Sequence, residues 1–258
     1  MTDLDKAQAA VEAGDGAARL AFFRLLADTP LLLLLEREAE AEVLEPRIFD
    51  LDEGQVVLAF DNEERMAAIG GAAVDGAPMP YAELPGRVLA RLLAGEGLSL
   101  GLNLGSGSPS EMLLPVSAMQ WLVSMLQPQG DGQIEDFGEL TAPGLGLVAT
   151  VQGLLTQAPA RWGGLASKVR IFGRGQGGLI LIEGVDPDAE VALATALTEA
   201  LRFSDLGGQI VDLAFANGQA LAVEGVTVLW PEACRSPLTE PHTPQAPGVD
   251  RSKPPILR

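Results

Sequence analysis

Residues 105–110, "GSGSPS", have the composition closest to a phosphate-binding loop. A Walker-type loop uses backbone N–H groups, a closing lysine and the N-terminus of a helix. Here no lysine follows, Glu111 stands where a phosphate would need a donor, and Pro109 removes one N–H. We therefore expect residues 103–111 to connect a strand to a helix, with an anion-binding loop as the alternative.

A second glycine motif, "GRGQGG" at residues 173–178, has the spacing of a dinucleotide-binding turn. That turn needs a strand before it and a helix after it. The strand-like run "GLILIEG" follows instead. The motif therefore predicts a hairpin turn, and no cofactor is expected.

Cysteine and histidine, which many nucleophilic and metal-dependent enzymes require, are scarce. Cys234 is the single cysteine, and His242 is the single histidine. A Ser-His-Asp or Cys-His mechanism would have to use His242, which lies in the proline-rich segment "SPLTEPHTPQAPG". One cysteine forms no internal disulfide, and a zinc site built on two or three histidines is impossible. We expect a protein that is not an enzyme and holds no metal.

Two groups of residues are candidates for partner binding. The first is a basic island with no acid inside it, which consists of Arg161, Lys168, Arg170 and Arg174. Such charge can dock an acidic partner or a small anion, and the alternative is internal charge balance on an exposed strand. The second is Trp121 with Met125, one helical turn apart. If exposed, this pair would suit a partner, and otherwise it packs under a neighbouring element.

The overall charge limits the possible partners. The formal net charge is −18 and the pI is near 4.3, so the chain repels nucleic acid phosphates and anionic membranes. The N-terminus has no apolar signal core. The longest obvious apolar run, residues 31–35, is far shorter than the about 20 residues that span a bilayer. We expect a cytoplasmic protein with an unknown protein partner.

Composition divides the chain into two α+β domains, each a mixed β-sheet with packed helices. The first covers residues 1–127, and the second covers residues 145–230. Residues 128–144 are rich in glycine, proline and acids and are predicted to form a linker. Residues 231–258 are so rich in proline that we expect a disordered tail.

Two predictions concern elements of the second domain. Asn217-Gly218 separates two alternating runs and predicts a β-hairpin between them. The helix that starts at Asp186-Pro187 is predicted to bury one apolar face, made of Val191, Ala194, Leu197 and Leu201.

The first domain resembles the N-terminal domain of the SseB, or enhanced serine sensitivity, family over about residues 20–127. The resemblance rests on four stretches in the family's order: "LLADTPLLLLLE", "RIFDLDEGQVVLAFDNEERMAAIGG", "YAELPGRVLARLLAGEGLSLGLNLGSGSPSEMLLP" and "AMQWLVSML". It implies a cytoplasmic bacterial protein with no established catalytic residues. It also implies that "LNLGSGSPSEMLLP" is a structural turn.

These observations favour a non-enzymatic protein-interaction or regulatory module. The alternative is a small-molecule-binding protein with a site between the domains or near residues 103–111. In a third hypothesis, the tail at residues 231–258 is an extended peptide that binds in a groove on another protein.

Overall fold

The structure is a computed structural model that describes residues 1–14, 16–38, 44–52, 54–69, 79–127, 137–157, 162–216 and 225–232. The fold is α+β, with two separate mixed sheets, and thus confirms the predicted class. The predicted tail falls outside these ranges from residue 233 onward, as does the predicted linker from 128 to 136.

The first half of the chain forms a six-stranded sheet with helices packed on it. Its helices are α1 (Asp3–Glu12), α2 (Gly16–Asp28), α3 (Glu63–Ala68), α4 (Gly86–Glu96) and α5 (Val116–Leu126). Its strands are β1 (Pro30–Leu34), β2 (Ile48–Leu51), β3 (Gly54–Phe60), β4 (Tyr81–Pro85), β5 (Ser99–Leu102) and β6 (Met112–Leu114). The strand order is β4-β1-β3-β5-β6, with β2 paired to the start of β3.

The leucine run of β1 explains how this sheet holds two cores. Successive side chains of a strand point to opposite faces. Leu31 and Leu33 therefore enter the main core, which the helices cover, while Leu32 and Leu34 enter a smaller core on the other face. A strand covered on both faces needs apolar residues at every position, and β1 has them.

The second half forms a five-stranded sheet. Its strands are β7 (Leu140–Thr141), β8 (Lys168–Arg174), β9 (Gly177–Glu183), β10 (Val211–Ala216) and β11 (Val226–Leu229). Its helices are α6 (Leu145–Gln157) and α7 (Glu190–Arg202), the latter preceded by a 3₁₀ turn at Pro187–Ala189. The order is β10-β9-β8-β11, with β7 paired to the end of β8. The "GRGQGG" motif forms the β8–β9 hairpin turn, as predicted.

The β-hairpin predicted across Asn217-Gly218 stays a prediction, because the turn and the run directly after it lie outside the described residues. Strand β10 pairs in parallel with β9, and β11 pairs with β8 on the opposite side of the sheet. The crossover from β9 through α7 returns the chain parallel to β9. Residues 217–224 themselves lie outside the described ranges.

The predicted buried face of α7 is wrong in part. Val191 is 77% exposed, and the buried side chains are those of Leu193, Leu197, Ala200 and Leu201. Steps of three residues drift around a helix that has about 3.6 residues per turn, so the predicted stripe left the buried face at its N-terminal end.

Candidate functional site

The loop at residues 103–111 connects β5 to β6, so the predicted connection from a strand to a helix is wrong. The loop does form an anion-binding nest, but a side chain of the chain itself occupies it. The N–H groups of Gly105 and Gly107 donate to the two carboxylate oxygens of Glu111, at 2.9 Å and 2.7 Å. Both glycines have positive φ angles, which turn successive N–H groups towards one point. An external anion would have to displace Glu111.

A buried polar cluster lies beneath this loop. Asn103 has a left-handed backbone with φ of 51°, and its side chain donates to Ser110 Oγ at 2.9 Å. Ser110 Oγ donates to Asp5 Oδ1 at 2.7 Å. The guanidinium of Arg65 bridges Asp5 and Asp61, with 2.8 Å between Arg65 Nη1 and Asp61 Oδ2. The cluster thus ties α1, α3 and the loop together.

The electrostatics of this cluster are those of a structural ion network. Burial alone would raise the pKa of Asp5, but hydrogen bonds from Ser110 and Arg65 outweigh it and hold that pKa well below its usual range. A carboxylate with so low a pKa is a poor general base. Asp5 and the Ser110 hydroxyl are also buried away from any substrate.

An open groove of about 600 Å³ lies on the surface between α2, β6 and α5. Its walls are mainly apolar, and they include Leu20, Phe23, Leu113, Leu114, Ala118 and Trp121. Arg19 is the charged residue of the lining, and Ser117 contributes a hydroxyl. We call this feature the α2–β6–α5 groove.

The structure separates the predicted Trp121–Met125 pair. Trp121 is 37% exposed and packs edge-on against Phe23, with ring centroids 4.9 Å apart. Met125 instead packs against the main core. Of the two residues, only Trp121 lines the groove.

Residues 4–121 match the family model of the SseB protein N-terminal domain. The match is to an SseB N-terminal domain, and we call residues 1–127 the SseB domain. The match begins sixteen residues before the predicted start at residue 20, so it includes α1 and Asp5. No curated protein and no solved structure matches the chain.

The "PGR" segment of the SseB domain has a structural role at each residue. Pro85 pairs with Pro30 at the ends of β4 and β1. Gly86 lies so close to α2 that a Cβ built there would be 1.9 Å from the carbonyl oxygen of Leu26. Arg87 forms ion pairs with Asp28 in the domain and with Glu199 in α7, where Arg87 Nη2 and Glu199 Oε1 are 3.1 Å apart.

Three side chains of α7 and its end connect the second half to the SseB domain. Glu199 binds Arg87, and Arg202 Nη1 donates to the carbonyl oxygens of Met125 and Gln127 at 3.0 Å and 2.8 Å. Phe203 belongs to the main core of the SseB domain, 6.3 Å from the ring of Trp121. These contacts lie at the junction between the two halves, where the alternative prediction places a small-molecule site.

The basic island lies on β8, where its described members pair with acids. Lys168 Nζ is 3.0 Å from Glu183, Arg170 also binds Glu183, and Arg174 Nη1 is 2.7 Å from Asp212. Burial opposes ionisation of Glu183, but hydrogen bonds from Lys168 and Arg170 hold its pKa below its usual value. Arg161, like Cys234 and His242, lies outside the described residues.

The sequence carried a signal for the groove that residue motifs did not reveal. Residues 112–130 contain no Asp, Glu, Lys or Arg, although a fifth of the chain is charged. This run begins with β6 and includes all of α5, from which Ser117, Ala118 and Trp121 line the groove. Uncharged, partly exposed surface with Trp at its centre is typical of interface cores.

Within the described residues, no group of three or more His, Cys, Asp and Glu side chains is placed to hold a metal ion. No helix in those ranges combines the length and apolarity that crossing a membrane requires.

Proposed function

We propose that this chain is a non-enzymatic protein-interaction module whose SseB domain binds a partner protein through the α2–β6–α5 groove. The observation that carries the proposal is the position of Trp121, which lies half-exposed in an apolar groove on an uncharged surface. Trp anchors that fill or line a desolvated pocket dominate the energetics of protein interfaces. The proposed location of the protein is the bacterial cytoplasm.

The partner class follows from the lining of the groove. Its apolar walls would bury apolar side chains of the partner, and each fully buried Leu, Ile or Phe side chain contributes about 1.5–3 kcal/mol. The net charge of −18 makes nucleic acid and anionic membranes poor ligands. A protein segment with exposed apolar side chains is the best match.

The alternative of a small-molecule site near residues 103–111 has less support. The N–H groups of Gly105 and Gly107 already bind Glu111, and Ser106 Oγ donates to the carbonyl oxygen of Asn103 at 2.6 Å. The groove offers far more space than this closed loop, so a ligand is better placed there.

The basic island stays a prediction for a second contact. Reversing the charge of Arg170 or Arg174 would break internal ion pairs as well as any contact with a partner. Lys168 also pairs with Glu183, but it is the most suitable position because its side chain is the most exposed of the three, at 45%, and an exposed ion pair contributes little to stability. If the island binds the partner, Lys168→Glu weakens capture while the protein stays folded.

The experiment that tests the groove is affinity capture by the full chain, with two glutamate variants of α5. Ser117 is exposed in the first turn of α5 and lines the groove, so Ser117→Glu places a charge there and suits the helix N-terminus. Gln120→Glu adds the same charge to an exposed position outside the groove lining. Gln120→Glu is therefore the matched control.

We expect wild type and Gln120→Glu to capture the same protein, and Ser117→Glu to lose it at an unchanged melting temperature. If Ser117→Glu captures the same proteins as wild type in the same yield, the groove is not the binding surface. Capture lost with Lys168→Glu alone would assign binding to β8 instead.

A further inference from the structure

Strand β6 is the last strand in the order of the first sheet. It pairs with β5 on one side, in the register Leu100 with Leu114 and Leu102 with Met112. In the part of the chain that the structure describes, no strand pairs with its other side. Sheet edges carry N–H and C=O groups that are free to pair with another chain.

No charged side chain on β6 protects this edge against such pairing. Proteins commonly protect an edge strand by keeping it short, with charged side chains or proline, or with a covering element. The three residues of β6 are Met112, Leu113 and Leu114, and the neutral run continues through α5. Pro115 follows β6 directly and limits the edge to a short segment.

The α2–β6–α5 groove runs along this same edge. Leu113 and Leu114 are neighbours in a strand, so their side chains point to opposite faces of the sheet. Leu114 is buried in the main core, and Leu113 is partly exposed. Because both residues line the groove, the groove follows the edge of β6 and is not confined to one face.

Resting on the proposed function, we propose that the groove binds the partner as an extended segment that adds to β6 as a further strand. Main-chain hydrogen bonds to β6 provide affinity, and alternate side chains of the segment enter the groove towards Phe23 and Trp121. An α-helix in the same groove would leave the edge groups of β6 without partners, because its own N–H and C=O groups are already bonded to one another.

The dimensions and charge of the site define the segment further. Three strand residues span about 10 Å at 3.3 Å per residue, so the segment that pairs is about three to five residues long. Arg19 lies on the rim, is exposed, and forms none of the ion pairs found among the described residues. The segment therefore carries apolar side chains at alternate positions and a carboxylate that reaches Arg19.

The test uses the full chain and a phage-displayed library of random twelve-residue peptides. Peptides are selected on wild type with Ser117→Glu as the counter-selection, and the best binder is then synthesised. Single backbone N-methyl groups are placed at successive positions, since each removes one N–H donor and blocks one edge of a strand. Sedimentation of the full chain without peptide is measured alongside.

Strand addition predicts a two-residue period in the N-methyl scan. Affinity falls about tenfold or more at alternate positions, where an N–H faces β6, and stays within about twofold between them. Arg19→Gln lowers the affinity by about two- to fivefold, as for an exposed ion pair. The unmethylated peptide binds Gln120→Glu as tightly as it binds wild type.

Two results would overturn strand addition and leave the proposed function intact. One is a groove-dependent peptide whose affinity shows no two-residue period. The other is a wild-type dimer that Ser117→Glu dissociates, because the groove would then bind a second copy of this chain. If no selected peptide distinguishes wild type from Ser117→Glu, the proposed function itself fails.

Discussion

The buried carboxylate of Asp5 has a direct energetic consequence at the scale of single residues. It is 1% exposed, caps α1 by accepting from the N–H of Thr2 at 2.8 Å, and binds Arg65 in α3. Removing one member of a buried ion network leaves its partners uncompensated. Asp5 therefore contributes strongly to stability.

We predict that Asp5→Asn lowers the free energy of unfolding by about 3 kcal/mol at pH 7. The folded pKa of Asp5 lies below its unfolded value of about 3.9, so this contribution is fully present above about pH 5. It is lost as the pH falls through and below 4. Urea unfolding of both proteins from pH 7 to pH 3 measures the difference, and a gap that stays constant over this range would contradict the network.

Only the local contacts of the Asp5 cluster could be predicted from the sequence. Thr2 and Asp5 have the spacing of a capping box, which is visible in the sequence. Arg65 and Ser110 lie about sixty and about a hundred residues further along the chain, and no local pattern links them to Asp5. The hydrogen bonds of Glu111 to the glycine loop were predictable only in part. The sequence places Glu111 next to that loop, but the nest that its carboxylate fills depends on the φ angles of the glycines.

At the scale of elements, the packing of α4 on α2 sets the geometry of the SseB domain. Gly86 donates its N–H to the carbonyl oxygen of Thr29 at 2.9 Å, and a Cβ there would clash with the backbone of α2. Gly95 lies in the same helix and is exposed, and a Cβ at that position would meet only open space. These two glycines are a matched pair for substitution by alanine.

We predict opposite effects for the two substitutions. Gly86→Ala lowers the free energy of unfolding by about 1–3 kcal/mol, which is the typical cost of overpacking a core. Gly95→Ala raises it by about 0.5–1 kcal/mol, because alanine restricts the unfolded chain and favours the helix. Chemical denaturation gives both values, and a neutral Gly86→Ala would mean that α2 and α4 pack less closely than these contacts indicate.

Element types were more predictable from the sequence than their pairing. The β2–β3 hairpin was predictable because the sequence "DEG" at residues 52–54 separates two strand-like runs. The parallel pairing of β10 with β9 has no such local signal, because the crossover through α7 sets it. Strand β6 has only three residues, too few for a periodic pattern, so the edge it forms could not be predicted.

At the scale of the whole molecule, Phe203 connects the two halves. It follows α7 in the second half, yet its side chain is buried in the core of the SseB domain. Leu193 is buried in the core of the second half and lies at the other end of α7. The two residues allow loss of the connection to be distinguished from loss of core packing.

We predict that wild type unfolds in one calorimetric transition and that Phe203→Ala separates it into two. Phe→Ala in a core costs about 3–5 kcal/mol, and here that loss falls on the junction. Leu193→Ala should lower the melting temperature without separating the transitions. If both variants unfold in a single transition, Phe203 is not what couples the halves.

The most direct measurement of the groove is hydrogen–deuterium exchange of the full chain, alone and saturated with its captured partner. Binding in the α2–β6–α5 groove predicts slower exchange at residues 112–121 and 16–23, with little change at residues 168–174. Protection confined to β8, with exchange at β6 and α5 unchanged, would contradict the groove and place the partner on the basic island.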